Sequence, residues 1–408
     1  MAFARSKPIQ LALLVFAELF GIGLWMSGSA VLPQLVAERG LGASAQSWMT
    51  MSVQLGFVAG ALASAVTNLA DRVPARHVFW IGALLGAIFN AAIPLLDPSV
   101  GVILVLRFAT GFVLAGVYPP GMKLVASWCK EDRGFGIGLL VGALAAGKAM
   151  PHLLNAVPWF GGEAGLPPWR PVLLSMSAMA ALAALACATL VRSGPHLARV
   201  APFDWGVAWR VFSHRPTRLA NFGYLGHMWE LYAVWVWVPM MLLASFEAAG
   251  ASATAARLAG FAVVAAGGLG SVVAGVLADR VGRTTVTIAS LVVSGACCVL
   301  AGPFFGQPVV LVAIALVWGV AVVADSAQFS AAVSELSDPR YVGTALALQT
   351  CLGFLLTLVT IAAIPVLVDH VGWRWAFVSL VPGPIFGIVA MLLLRREPEA
   401  AAMASGRR

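Results

Sequence analysis

The sequence predicts an all-α integral membrane protein, with twelve transmembrane helices in two pseudo-symmetric six-helix bundles. Three observations carry that expectation. Of 408 residues, 61% are hydrophobic and 10% charged, with a mean hydropathy of +0.92, whereas water-soluble domains carry roughly 25% charged residues. Apolar runs of about 20 residues, the length that crosses the hydrocarbon, recur along almost the whole chain. Landmarks of the first half return a little over 200 residues later, as an internal duplication requires: Pro33 and Pro239, Asp71 and Asp279, and the loops Asp132, Arg133, Gly134 and Asp338, Arg340, Gly343.

Taken in order, the runs place spans 1 to 12 at residues 9–36, 46–70, 77–96, 100–125, 134–157, 169–191, 217–243, 256–278, 284–302, 307–331, 341–366 and 373–394. They exceed the alternating segments of about ten residues in an outer-membrane barrel and are apolar on all faces, so helices are expected. Span 1 follows Arg5 and Lys7 and imitates a signal peptide. Its run outlasts a signal h-region and eleven spans follow, so it reads as a retained helix. Residues 1–191 form the first bundle, 192–216 a cytoplasmic linker containing Pro195, Pro202 and Pro216, and 217–408 the second bundle.

With the N-terminus inside, 19 of the 25 lysines and arginines fall in cytoplasmic segments, as the positive-inside rule requires. Both termini are then cytoplasmic, in a bacterial-type inner membrane. Arg39, Arg170, Arg257 and Arg374 lie outside, and Arg107 and Lys148 lie within helices. The net charge of +8 is read as loops beside anionic lipid, which disfavours nucleic acid as a partner. Four of the five cysteines lie in spans and Cys129 in a cytoplasmic loop, with no metal-ligand spacing. A phosphate-binding loop and a nucleophile elbow are also missing from the sequence, so neither an enzyme nor a cofactor is expected.

Between spans 8 and 9 the chain reads GVLADRVGR, Gly275 to Arg283, and TNLADRVPAR at Thr67 to Arg76 is a worn copy between spans 2 and 3. These loops resemble the G-x-L-A-D-R-x-G-R-[KR] pattern of the major facilitator superfamily (MFS), and the resemblance covers essentially all 408 residues. The second copy matches through Arg283, with Thr284 replacing the last basic residue. The first has Thr67 for the leading glycine, Pro74 for the second and Ala75 for an arginine. Physically, Gly275 would let two helices approach closely, Gly282 would allow a turn with positive φ, and Asp279 would present a carboxylate to a helix N-terminus. The resemblance implies a gating latch of Asp71, Arg72, Gly275, Asp279, Arg280, Gly282 and Arg283. In it Asp279 lies near the start of span 5 at Arg133, and Asp71 near the start of span 11 at Arg340.

Charges at mid-bilayer cost roughly 2.5 to 3.5 kcal/mol each on insertion scales, so each marks a candidate site. They are Glu18 in span 1, Arg107 in span 4, Lys148 in span 5, Glu230 in span 7 and Asp325 in span 10. Arg107 opens R-F-A-T-G, which resembles the R-x-x-x-G pattern linked in relatives to proton coupling. Glu18 is its expected partner, since a guanidinium beside a carboxylate controls its proton affinity. Glu230, with His227 one turn away, suits a proton relay or a polar substrate contact, and Asp325 suits either a second protonation site or a partner for Lys148. Lys148, beside Gly147 and before Pro151, would hold an anionic substrate or neutralise an acid, with His152 one turn on. Pro119 and Pro120 must break span 4 next to Tyr118. Tyr118, Trp25, His227 and Trp229 complete the substrate-contact candidates, whereas Trp235 and Trp237 read as interfacial anchors.

The expected function is secondary active transport of a small molecule, coupled to protons, by a monomer, with an organic anion preferred. A proton-coupled exporter of cationic or amphipathic compounds and a non-transporting sensor are the alternatives. If motif quality sets latch strength, Asp279→Asn will bias the carrier towards inward-open more than Asp71→Asn does. Cytoplasmic cysteine accessibility measures this, and equal effects would remove the asymmetry.

Overall fold

The computed structural model describes residues 6–67, 69–129, 133–156, 168–196, 212–338 and 342–407, without the side chains of Ala70, Asp71, Arg133, Gly134 and Ser405. Twelve helices are long and apolar enough to cross a membrane: Lys7–Arg39, Ala43–Val66, Ala75–Leu96, Val100–Trp128, Phe135–Ala156, Trp169–Thr189, Arg215–Ala248, Ala253–Val281, Arg283–Leu300, Pro308–Leu336, Val342–Val371 and Trp373–Arg396. They are the twelve spans predicted from the sequence. Prolines at the first helical turns, among them Pro8, Pro216 and Pro308, start spans where no N–H partner is needed. Glycines with positive φ, Gly40, Gly250, Gly282 and Gly372, end spans 1, 7, 8 and 11. Gly282, with φ 97°, adopts the backbone conformation expected of it.

The chain divides into two compact units, one of Met1–Arg199 with Ser252–Ala265 and one of Val200–Ala251 with Ala266–Arg408. In the first, span 1 packs on spans 5 and 6, and span 3 on spans 4 and 6. In the second, span 7 packs on spans 11 and 12, and span 9 on spans 10 and 12. The neighbours repeat with a shift of six spans, the packing counterpart of the sequence repeat.

Four spans are interrupted; in span 12 a 3-10 turn, Phe377–Leu380, separates Trp373–Ala376 from Pro382–Arg396. Span 1 turns at Gly23 and again at Val31, isolating a seven-residue helix, Leu24–Ala30. Span 4 stops at Leu114 and resumes at Tyr118. Pro119 and Pro120 cannot donate to the preceding turn, and tight bonds from Gly116 N to Val113 O and from Val117 N to Leu114 O (both 2.9 Å) bridge the gap. Span 10 breaks at Asp325, 208 to 210 positions after the break in span 4.

Spans 2 and 4 touch through backbone. A Cβ on Gly111 would stand 2.0 Å from Val53 O, and one on Gly56 2.0 Å from Phe108 O. Gly275 is different: no described atom lies within 4 Å of such a Cβ, so the close approach expected there is corrected. On span 8 the contact falls at Gly270, 2.3 Å from Val320 O by the same measure. Trp235 and Trp237 are also corrected. Both are buried rather than interfacial, and Trp237 Nε1 donates to Ile361 O on span 11 at 3.1 Å.

Gly111→Val is expected to cost about 1 to 3 kcal/mol by overpacking this seam. Gly275→Ala should leave stability unchanged or raised, and thermal unfolding in detergent compares the two.

Candidate functional site

The site of the first unit is built on the short helix Leu24–Ala30. Arg107, fully buried on span 4, makes four hydrogen bonds around it: Nε to Met49 O (3.3 Å), Nη1 to Leu24 O (2.9 Å) and Ser27 Oγ (3.0 Å), and Nη2 to Trp25 O. A Cβ on Gly28 would lie 3.0 Å from Arg107 Nε, so glycine leaves the guanidinium its berth. The expected pairing of Arg107 with Glu18 is therefore corrected. The guanidinium is committed to carbonyl dipoles beyond the Gly23 turn, while Glu18 lies before it.

Glu18 instead faces span 5 and the second half of span 4. Its carboxylate is within electrostatic reach of Lys148 and Tyr118, and its Oε2 sits 2.8 Å from where a Gly121 Cβ would stand. Neither Glu18 oxygen has a hydrogen-bond partner among the described residues. Lys148 reaches this place because a Cβ on Gly147 would meet Leu19 O at 2.2 Å, so spans 1 and 5 pack backbone to backbone. The Lys148 ammonium lies 4.2 Å from the Trp25 ring centroid, a cation–π distance. Trp25 also packs on Phe57 of span 2, with centroids 4.7 Å apart. Glu18, Lys148 and Trp25 thus form one buried cluster, with half-buried Tyr118 beside it.

In the second unit His227 and Asp325 come together, with Nδ1 and Oδ1 2.9 Å apart, both buried, an ion pair when the imidazole is protonated. Tyr224 and Phe329 flank the histidine ring. The expected His227–Glu230 relay is corrected, because the two side chains diverge around span 7. Glu230 turns to span 9, where its Oε1 accepts from Ser294 Oγ (2.7 Å) and its Oε2 from Cys298 Sγ (3.5 Å). Trp318 Nε1 donates to that serine at 3.1 Å. Trp229, half-buried, packs on span 12 through its Nε1 bond to Ser379 O (3.2 Å) and against Gly383.

In the loop after span 8, Arg283 forks onto Glu335, Nε to Oε2 at 2.7 Å and Nη2 to Oε1 at 2.6 Å, and its Nη1 reaches Gln328 Oε1 at 2.8 Å. Ala404 N donates to Glu335 Oε2 at 3.2 Å and Arg407 to Asp279 O, so the C-terminal turn docks on the same loop. The Asp279 carboxylate is largely exposed, 3.9 Å from Arg283, and Arg72 and Arg280 are exposed. The side chains of Asp71 and Arg133, and Arg340 entirely, lie outside the described residues. Ser294 and Trp318 do not stand out in the sequence, because a neutral polar or aromatic residue in a helix gains meaning only from its neighbours.

The family model described as Major Facilitator Superfamily matches residues 13–249 and 220–408. A search of curated proteins gave no match. Among solved structures, a D-xylose–proton symporter superposes with a TM-score of 0.75 at 18% identity, over 97% of this chain and 98% of the other. A bacterial homologue of the human lysosomal transporter Spinster superposes with a TM-score of 0.68 at 15% identity, over 98% of both chains.

A double-mutant cycle of Glu18→Gln with Lys148→Met should show a coupling of about 1 to 3 kcal/mol in unfolding, whereas Glu18→Gln with Arg107→Met should be additive within about 0.5 kcal/mol.

Proposed function

The chain belongs to the major facilitator superfamily, whose members carry small molecules across membranes, and on that premise we propose that it is a proton-coupled secondary transporter of a small organic anion working by alternating access. One observation carries this reading: the buried Lys148 side chain lies over the face of Trp25 and within electrostatic reach of Glu18. Arg107, the other intramembrane cation, is occupied by carbonyls, so the anion reading rests on Lys148.

The coupling follows from charge compensation. With Glu18 ionised, Lys148 is neutralised and an arriving carboxylate finds little net attraction. With a proton on Glu18, the ammonium loses that counter-charge in a low-dielectric interior, and an anion restores the balance. Proton and anion therefore favour each other, by an amount of the order of the 1 to 3 kcal/mol usual for coupled sites. The Trp25 ring gives a planar apolar body something to lie against. The carrier would act as a monomer in a bacterial-type inner membrane with both termini cytoplasmic, since one chain holds both bundles.

A second reading, proton-coupled export of a cationic or amphipathic compound, draws support from Glu230, whose hydrogen-bond donors are a hydroxyl and a thiol. Proteoliposome flux decides between them. Organic anions are expected to accumulate under an inward proton gradient. Glu18→Gln should keep counterflow exchange but lose gradient-driven accumulation, and Lys148→Met should lose both. Flux of cations alone would overturn the anion reading, and absence of any flux would favour a sensor.

A further inference from the structure

Polar side chains around the Leu24–Ala30 helix fall into two levels. Towards the Arg39 end of span 1 they bond one another: Ser29 bonds Thr50, Gln34 bonds Asn155 through its Nε2, and Asn155 Nδ2 donates to Ala30 O at 2.7 Å. One turn closer to Trp25 the pattern changes. Gln54 is fully buried with both Nε2 and Oε1 lacking a partner among the described residues, and buried His152 leaves its Nε2 in the same condition.

These two groups share a depth. Thr50 and Phe57 of span 2 touch Ser29 and Trp25 of span 1, and Gln54 lies between them on the same helical face. Lys148 and Asn155 of span 5 touch Trp25 and Ala30, and His152 lies between those. Spans 2 and 5 both touch Trp25, and each places one unpartnered group a turn from the residue that touches its ring. Leaving a buried polar group unpaired costs about 1 to 3 kcal/mol. Two such costs at one level, next to closed bonds that could have absorbed them, are what a vacant ligand subsite requires.

We infer that Gln54 and His152 form a specificity subsite that reads an uncharged hydrogen-bonding group on the substrate, one helical turn from the anionic end held by Lys148. The inference rests on the anion reading above and deepens it. A carboxamide side chain offers a donor and an acceptor side by side, so its complement is a group with both, such as a carboxamide or a ureido edge. The spacing of one turn, about 5.4 Å, suits a flat body of one ring lying along Trp25. The substrate class is then a planar organic anion with a carboxamide-like group at its far end.

The test uses the purified full chain and three probes, benzoate, 4-carbamoylbenzoate and methyl 4-carboxybenzoate, with Kd from titration calorimetry and thermal unfolding to verify the fold of each variant. The wild type should bind 4-carbamoylbenzoate about tenfold more tightly than the ester, which accepts but cannot donate. Gln54→Leu and His152→Leu should each bring that ratio within about twofold without moving the Kd of benzoate. A wild-type ratio near one, or a Gln54→Leu protein that keeps the preference, overturns the inference while the anion reading stands if Lys148→Met weakens all three probes. If none of the three binds the wild type, the anion reading fails and the subsite fails with it.

Discussion

A helix of seven residues does not hold itself together, and much of the first unit follows from how Leu24–Ala30 is held. Helix nucleation is unfavourable and short helices are marginal even in water, so this segment owes its place to its neighbours. Arg107 grips two of its carbonyls and Ser27, Asn155 caps its Ala30 carbonyl, and Thr50 bonds its Ser29. In hydrocarbon there is no water to take over these bonds. The position of Trp25, and with it the ring on which Lys148 rests, therefore depends on residues from spans 2, 4 and 5.

The glycines set the distances at which this works. Gly111 and Gly56 let span 4 lie against span 2, which carries Arg107 to Met49 O, and Gly147 lets span 5 lie against span 1, which carries Lys148 to Trp25. Gly121 and Gly28 act locally, each leaving the volume of one methyl group for a charged side chain. The two units solve the cost of buried charge differently. The first sets a carboxylate near an ammonium and a guanidinium on carbonyls, and the second pairs Asp325 with a histidine and surrounds Glu230 with neutral donors.

Several site residues are legible in the amino-acid sequence by itself. Glu18, Arg107, Lys148, Glu230 and Asp325 stand out because a charge in an apolar run has a large and unconditional cost. Their partners are not legible there. Arg107 and Glu18 share neighbouring spans, yet Arg107 bonds carbonyls after Gly23 while Glu18, before it, lies against Gly121. His227 and Glu230 are one turn apart along the chain, yet one meets span 10 and the other span 9. That Gln54 and His152 lack partners among the described residues is harder still to read, since an unpaired group is defined by what its neighbours do.

Taken alone, the sequence determined the membrane class, the twelve spans, the repeat, the turn at Gly282 and which residues are buried at a cost. These follow from hydropathy, charge and the backbone freedom of glycine, all of which act locally along the chain. Only the tertiary structure decided that Gly275 faces open space, that Trp237 is core, that Arg107 serves a helix backbone and that Lys148 lies over Trp25 within reach of Glu18. The reason is physical. A partner is chosen by the rotation and separation of two packed helices, and those depend on backbone contacts between residues far apart in the sequence.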